Sequence, residues 1–218
     1  MKKLILLLIL ISLSLTLVAK KNDTKDEYKS PNIGNILTNP ELTYFGWDFR
    51  FMLFSDSNFQ DPRDIIYKIA PGWVFYFEKQ GYGENRIRKN FRDKQFTYDN
   101  RTIQSLIRNV NEAELNDPYK RKITIDSIKS IVNSYPVSGR GLGLIYIAEE
   151  VSKSKLTSSV YITFFDMATK EVLYTKRLEG RAGGSYGLIA YYGWGFIYAT
   201  YDMNFKFGSL MKSIKKQQ

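Results

Sequence analysis

The chain has 218 residues, with 32 Lys+Arg against 22 Asp+Glu for a formal net charge of +10, and it contains neither cysteine nor histidine. Without cysteine there is no disulfide framework, no thiol nucleophile and no Cys-ligated zinc. Without histidine there is no imidazole base, no His-containing metal site and no Ser-His-Asp triad. Composition thus sets aside most common enzyme constellations, no cofactor or metal is expected, and a non-enzyme is the preferred reading.

Residues 1–19 read as an export signal. Lys2 and Lys3 supply the positive n-region, and Leu4 to Ala19 is 16 residues without a charge. A stable membrane span needs about 20 apolar residues, so this run is short for one. Ala19 is a small residue at the cleavage position, with the larger Leu17 two places before it. The competing reading is an uncleaved signal anchor flanked by Lys20 and Lys21, with membrane association through residues 4–19. Cleavage, which removes two lysines, leaves 199 residues and a formal charge of +8. A chain of that size folds without disulfides. A cysteine-free exported chain points to a bacterial envelope, periplasmic or secreted, where nucleic acid is not an expected partner.

Lys20 to Asn39 is polar and charged, and is expected to be a flexible leader, with the folded part beginning near Pro40. Thr43 to Phe54 alternates Trp47, Phe49 and Phe51 with Asp48 and Arg50, which predicts a strand with one buried face. Asp61-Pro62 offers a helix cap. Ile65, Ile66, Ile69, Trp73 and Phe77 follow at helical spacing, with Pro71-Gly72 expected to kink or break that helix. Residues 78–101 are charged, and Arg86, Arg88, Lys89, Arg92 and Lys94 form a basic cluster. That cluster is either a site for an anionic polymer or head group or, by default, a solvated face.

Ile103, Leu106, Ile107 and Val110 form a short helical stripe. Thr124 is the expected N-cap of a helix with Ile128, Ile131, Val132 and Tyr135 as core positions, ended by Pro136 and Gly139. Leu142–Val151, Val160–Phe165 and Val172–Leu178 have strand composition, the last two closing a hairpin around residues 166–171. The order predicts a single α+β domain over 40–218, with a largely antiparallel sheet covered by helices.

From Ala182 to Tyr201 there are 20 uncharged residues, five of them Gly and five Tyr. Three readings compete: a buried helix packing Trp194, Ile197, Tyr198, Tyr201 and Phe205 on the sheet; a membrane-embedded segment; and an aromatic ligand platform. The core helix is preferred, because glycine and tyrosine dilute the hydropathy.

Two glycine loops are candidates for holding an anion. The loop from Gly139 to Gly143 follows a helix and enters a strand, the reverse of the order that puts phosphate on a helix N-terminus, and is rejected. The loop from Gly180 to Gly187 runs from a strand towards a helix, and Arg181, Gly183 and Gly184 are the candidate residues for a carboxylate or phosphate. The alternative is a turn that lets the last helix pack closely. Among the carboxylates, Glu149 and Glu150 are adjacent on a strand and expected on opposite faces.

Thr43-Tyr-Phe-Gly-Trp-Asp-Phe49, the block Tyr161 to Leu173 and Gly180-Arg-Ala-Gly-Gly184 resemble segments of an uncharacterised family of exported proteins from Bacteroidota-type bacteria. The resemblance spans about residues 40–200 and implies a signal peptide and an envelope or secreted location. It carries no activity and no catalytic residues. The hairpin turn also resembles the D-x-x-T-G-E turn of small α/β envelope accessory domains, with Lys170 standing where that pattern has glycine.

The function expected is an exported cell-envelope protein acting as a non-enzymatic binding or accessory module, its partner an envelope protein or an anionic envelope component. The alternatives are a carboxylate-based hydrolase of the envelope and a membrane-anchored accessory subunit.

Overall fold

A seven-stranded sheet carries the fold. The computed structural model describes residues 26–55, 64–110, 122–184 and 187–216. In chain order the strands are β1 (Glu27–Lys29), β2 (Glu41–Asp48), β3 (Leu53–Phe54), β4 (Gln95–Tyr98), β5 (Leu142–Ser152), β6 (Thr157–Asp166) and β7 (Val172–Arg181). The helices are α1 (Asn35–Thr38), α2 (Ala70–Lys79, preceded by a π-helical turn Ile65–Ile69), α3 (Glu84–Asn90), α4 (Arg101–Arg108), α5 (Ile125–Ser134) and α6 (Leu188–Lys215). The expected signal at 1–19, the start of the leader and the Asp61-Pro62 cap lie outside the described residues, as do the side chains of Ile65, Ile66 and Phe205.

The sheet order is β1-β7-β6-β5-β2-β4, with β3 also on β5. The β5-β6-β7 meander and the β1 edge are antiparallel, while β2 joins β5 and β4 in parallel, so the sheet is mostly antiparallel with some parallel pairs. β2 holds its register against β5 from Leu42 to Tyr44 and then gains one residue before Trp47. Gly46, at φ 80°, takes up that bulge in a conformation that favours glycine.

Helices cover both faces of the sheet. On β6, Ser158 Oγ donates to the Tyr192 carbonyl of α6 at 2.9 Å, and Phe164 packs on Phe91 beyond α3. The alternate residues look the other way: Tyr161 Oη donates to the Ile123 carbonyl at 3.1 Å, and Phe165 packs on Tyr135 at the end of α5. The α6 side holds the aromatic centre of the core, where Trp47 meets Phe77, Tyr146 and Phe196 at ring separations of 4.6, 4.9 and 5.4 Å. Trp73 Nε1 donates to the Ile189 carbonyl at 2.9 Å, tying α2 to α6.

Several expectations hold. Thr124 caps α5, its Oγ1 accepting from the Ser127 amide at 3.1 Å, and Ile128, Ile131, Val132 and Tyr135 are buried.

Other expectations are corrected. The helical run is not broken at Pro71: the π-helical turn passes straight into α2, whose first turn contains the proline. The folded part begins by Glu27, not near Pro40, because β1 pairs with Lys176, Thr175 and Tyr174 of β7, and α1 tucks Ile36 into the core. Asp48 lies opposite Trp47 on β2 as the alternation predicts, yet it is 0% exposed, since α5 covers its face. The charged stretch at 78–101 contains α3 and β4. Ile87 and Phe91, four apart, anchor the first, and Phe96 and Tyr98 alternate in the second.

α6 is a helix packed on β6 and β7, but turned about its axis from the expected orientation. Its buried side carries Tyr192, Phe196, Ile197 and Ala199, while Tyr198 and Tyr201 are exposed and Trp194 is half-buried. Glycine decides the rotation. A Cβ at Gly195 would lie 2.6 Å from Ser158 Oγ, and one at Gly193 would lie 2.9 Å from the Tyr76 ring. The smallest residues therefore face the sheet and α2, and the aromatic stripe is left outside.

Candidate functional site

Arg181, the last residue of β7, is exposed, and Gly183 and Gly184 follow at φ 145° and 81°. The turn serves packing. The Gly183 amide donates to the Tyr191 carbonyl at 3.1 Å, the Ala182 amide to the Leu156 carbonyl at 2.8 Å, and Gly187 at φ 86° precedes α6. The Gly183 N–H is thus already engaged within the chain. The turn delivers α6 to the sheet, where a Cβ on Gly180 would come within 2.0 Å of the Gly195 carbonyl oxygen.

The α5-covered face of the sheet holds two ionic clusters. Asp48 Oδ2 accepts from Arg50 Nη2 at 2.7 Å and from the Tyr135 hydroxyl at 2.9 Å, and the Arg50 guanidinium lies 4.8 Å from the Phe51 ring centre. Burial disfavours the Arg50 charge, but the Asp48 hydrogen bond and charge outweigh it and raise Arg50 above its ordinary value. Burial and the Asp48 charge push the Tyr135 hydroxyl well above its ordinary value.

In the second cluster, Glu149 is 1% exposed and sits at a bulge of β5. Its Oε2 accepts from Ser159 Oγ at 2.8 Å and is ion-paired with Arg177. Oε1 has no hydrogen-bond partner among the described residues and lies 4.0 Å from Lys122 Nζ. Arg177 also donates to Glu179 at 2.9 Å. Glu150 finds a separate partner, Lys155, at 3.4 Å. Asp48, Tyr161 and Arg177 fall in one row across the sheet through Ile147. Asp48 and Glu149 are thus each matched by an arginine, and Glu150 by a lysine, an arrangement that is costly to break.

The basic cluster divides. Arg88, Lys89 and Arg92 are exposed, with Arg88 ion-paired to Glu84 and stacked over Phe96 at 4.6 Å. Lys94 is buried and donates to the Leu37 and Asn39 carbonyls, capping the end of α1; burial lowers its pKa. A cleft of about 280 Å³ opens between α3 and α6 beside Lys94 and Lys215. Two more, of about 420 and 410 Å³, open around Lys129 and Arg140. Each is lined by a single carboxylate, Asp93, Glu171 and Glu41 respectively, short of the facing pair that glycosidase-type chemistry requires.

Of the side chains that sequence reasoning assigned to the core, Tyr198 and Tyr201 are exposed while Trp194 stays half-buried against the core, and together they form the most distinctive surface. Trp194, Tyr198 and Tyr201 share the outward side of α6 at spacings of four and three. Tyr76 of α2 meets the Trp194 ring edge-on at 6.2 Å, and Trp194 meets Tyr198 at 5.5 Å. Tyr82 packs beside Tyr201 at 6.0 Å, and Phe75, next to Tyr76, is 70% exposed. Exposed aromatic surface of this kind marks an interaction site more often than isolated exposed residues do. The signal for it was present in the uncharged run at 182–201; its direction was not. No family model matches the chain, and no characterised protein or solved structure gives a significant match.

Proposed function

We propose that this chain is an exported cell-envelope protein that acts as a non-enzymatic binding or accessory module, engaging its partner through the aromatic face of α2 and α6. The observation that carries the reading is that face: Tyr198 is 54% exposed and lies beside Trp194, whose ring meets Tyr76 of α2 at 6.2 Å. Export rests on the Lys2-Lys3 start and the uncharged stretch Leu4 to Ala19. Binding is favoured over hydrolysis because the buried acids Asp48 and Glu149 are each neutralised by an arginine.

The test is to fractionate producing cells and measure the intact mass of the product. The expected product starts at Lys20, is found in the envelope, and loses retention there when Tyr198→Ser and Tyr201→Ser are combined without loss of helical circular dichroism. A full-length product held in the membrane fraction makes residues 4–19 an anchor. A cytosolic product overturns the reading.

A further inference from the structure

The outward side of α6 changes character along its length. Lys212 and Lys216 follow Trp194 and Tyr198 by 18 residues, five turns of a helix, and so lie on the same side. Both lysines are exposed. The aromatic and cationic parts are about 27 Å apart along the axis. Beside the lysine end lies the end of α3, where Asn90 and the following Phe91 and Asp93 line the same cleft as Lys215, and where Lys89 and Arg92 are exposed.

Tyrosine and tryptophan rings favour the boundary between hydrocarbon and water, where an apolar body and a polar tip are both accommodated. Lysines near an anionic leaflet are attracted over about a Debye length. No helix among the described residues is long and apolar enough to cross a membrane. A second copy is a poorer occupant, since it would bring together two lysine-flanked faces of a chain that carries +8 once residues 1–19 are removed.

We infer that the α2–α6 face docks on an anionic phospholipid surface, the rings seated at headgroup level and the lysines of α6 on the phosphates. This rests on the reading of that face as the binding face.

Trp194 is the reporter, because Trp47 and Trp73 are buried in the core. The chain as isolated from the envelope is mixed with vesicles of brominated phosphatidylglycerol and phosphatidylcholine in equal parts, or of brominated phosphatidylcholine alone, with Trp194→Phe as baseline. The expected result is quenching on the anionic vesicles only, relieved by high salt. Lys212→Ala with Lys216→Ala should lower partitioning by about thirtyfold. Equal quenching on both vesicles regardless of salt overturns the anionic docking. Absence of quenching, while envelope retention still depends on Tyr198 and Tyr201, overturns the lipid inference and leaves the face to a protein partner. Absence of both effects overturns the binding face as well.

Discussion

Gly180 of β7 and Gly195 of α6 face each other so closely that a Cβ on Gly180 would sit 2.0 Å from the Gly195 carbonyl oxygen and 2.4 Å from the Ala199 amide nitrogen. Strand and helix meet backbone to backbone. That contact sets the rotation of α6, and with it which aromatic rings are core and which are surface.

Gly180→Ala is therefore expected to lower stability by about 3 kcal/mol, because the obstructing atoms are backbone and cannot rotate away. Gly208→Ala is the contrast. It lies in the same helix, a Cβ there would meet nothing within 4 Å, and the change should raise stability by about 0.5–1 kcal/mol. Urea denaturation of both variants checks the pair; a Gly180→Ala protein as stable as the parent would disprove the contact.

Removing one partner of the buried Asp48–Arg50 pair strands the other charge. Asp48→Ala should cost about 3–5 kcal/mol. Tyr135→Phe, which removes one hydrogen bond to the same carboxylate and keeps the ring, should cost about 1 kcal/mol. Thermal unfolding of the two variants should show that order, and a larger loss from Tyr135→Phe would contradict it.

Lys170 occupies φ 62° in the β6–β7 turn, a conformation that suits glycine, while its Nζ donates to the Val137 carbonyl. The turn is otherwise held by Asp166 Oδ1, which accepts from the Ala168 and Thr169 amides at 3.0 and 2.8 Å. Lys170→Gly relieves the strain and loses the bond, for an expected net gain of about 0.5 kcal/mol. Lys170→Ala keeps the strain, loses the bond, and should be less stable than the parent. Comparing the two melting temperatures separates the terms.

Burial, followed by the Glu78 charge, pushes the Tyr98 hydroxyl up to about 12 from its ordinary 10.0. Tyr44, Tyr135 and Tyr146 are also raised, burial being the largest cause in each. A hydroxyl held protonated by the fold contributes stability that is fully present below pH 10 and is lost as pH rises through the folded value. Stability should be level to about pH 10 and fall between about pH 10 and 12, with tyrosinate absorbance rising together with loss of helical circular dichroism. Tyrosinate formation complete with the fold intact would show that these hydroxyls are not shielded.

Where a local pattern has one physical reading, the fold follows it. Thr124 caps α5 and the four core positions after it are buried, because an oxygen acceptor before an apolar 3–4 repeat has few other uses. The β5-β6-β7 meander is legible for the same reason: three β-rich runs, two joined by a short turn, have little choice but to pair. β1 and β4 are short strands completed by neighbours far away in the chain, Tyr174 to Lys176 and Glu41 to Tyr44, which no local window contains.

The candidate site divides along the same line. Arg181, Gly183 and Gly184 are where the sequence suggests a turn into a helix, and the Tyr191 carbonyl shows how the Gly183 amide is used. Composition by itself determined that this chain works without thiol or imidazole, that it is basic, and that its C-terminal segment is uncharged and aromatic. Tertiary structure decided which of those aromatics are buried and that Asp48 and Glu149 are covered. Burial depends on what packs against a face, and for the strands around Asp48 and the outward side of α6 that was set by α5 and by the approach of Gly180 to Gly195.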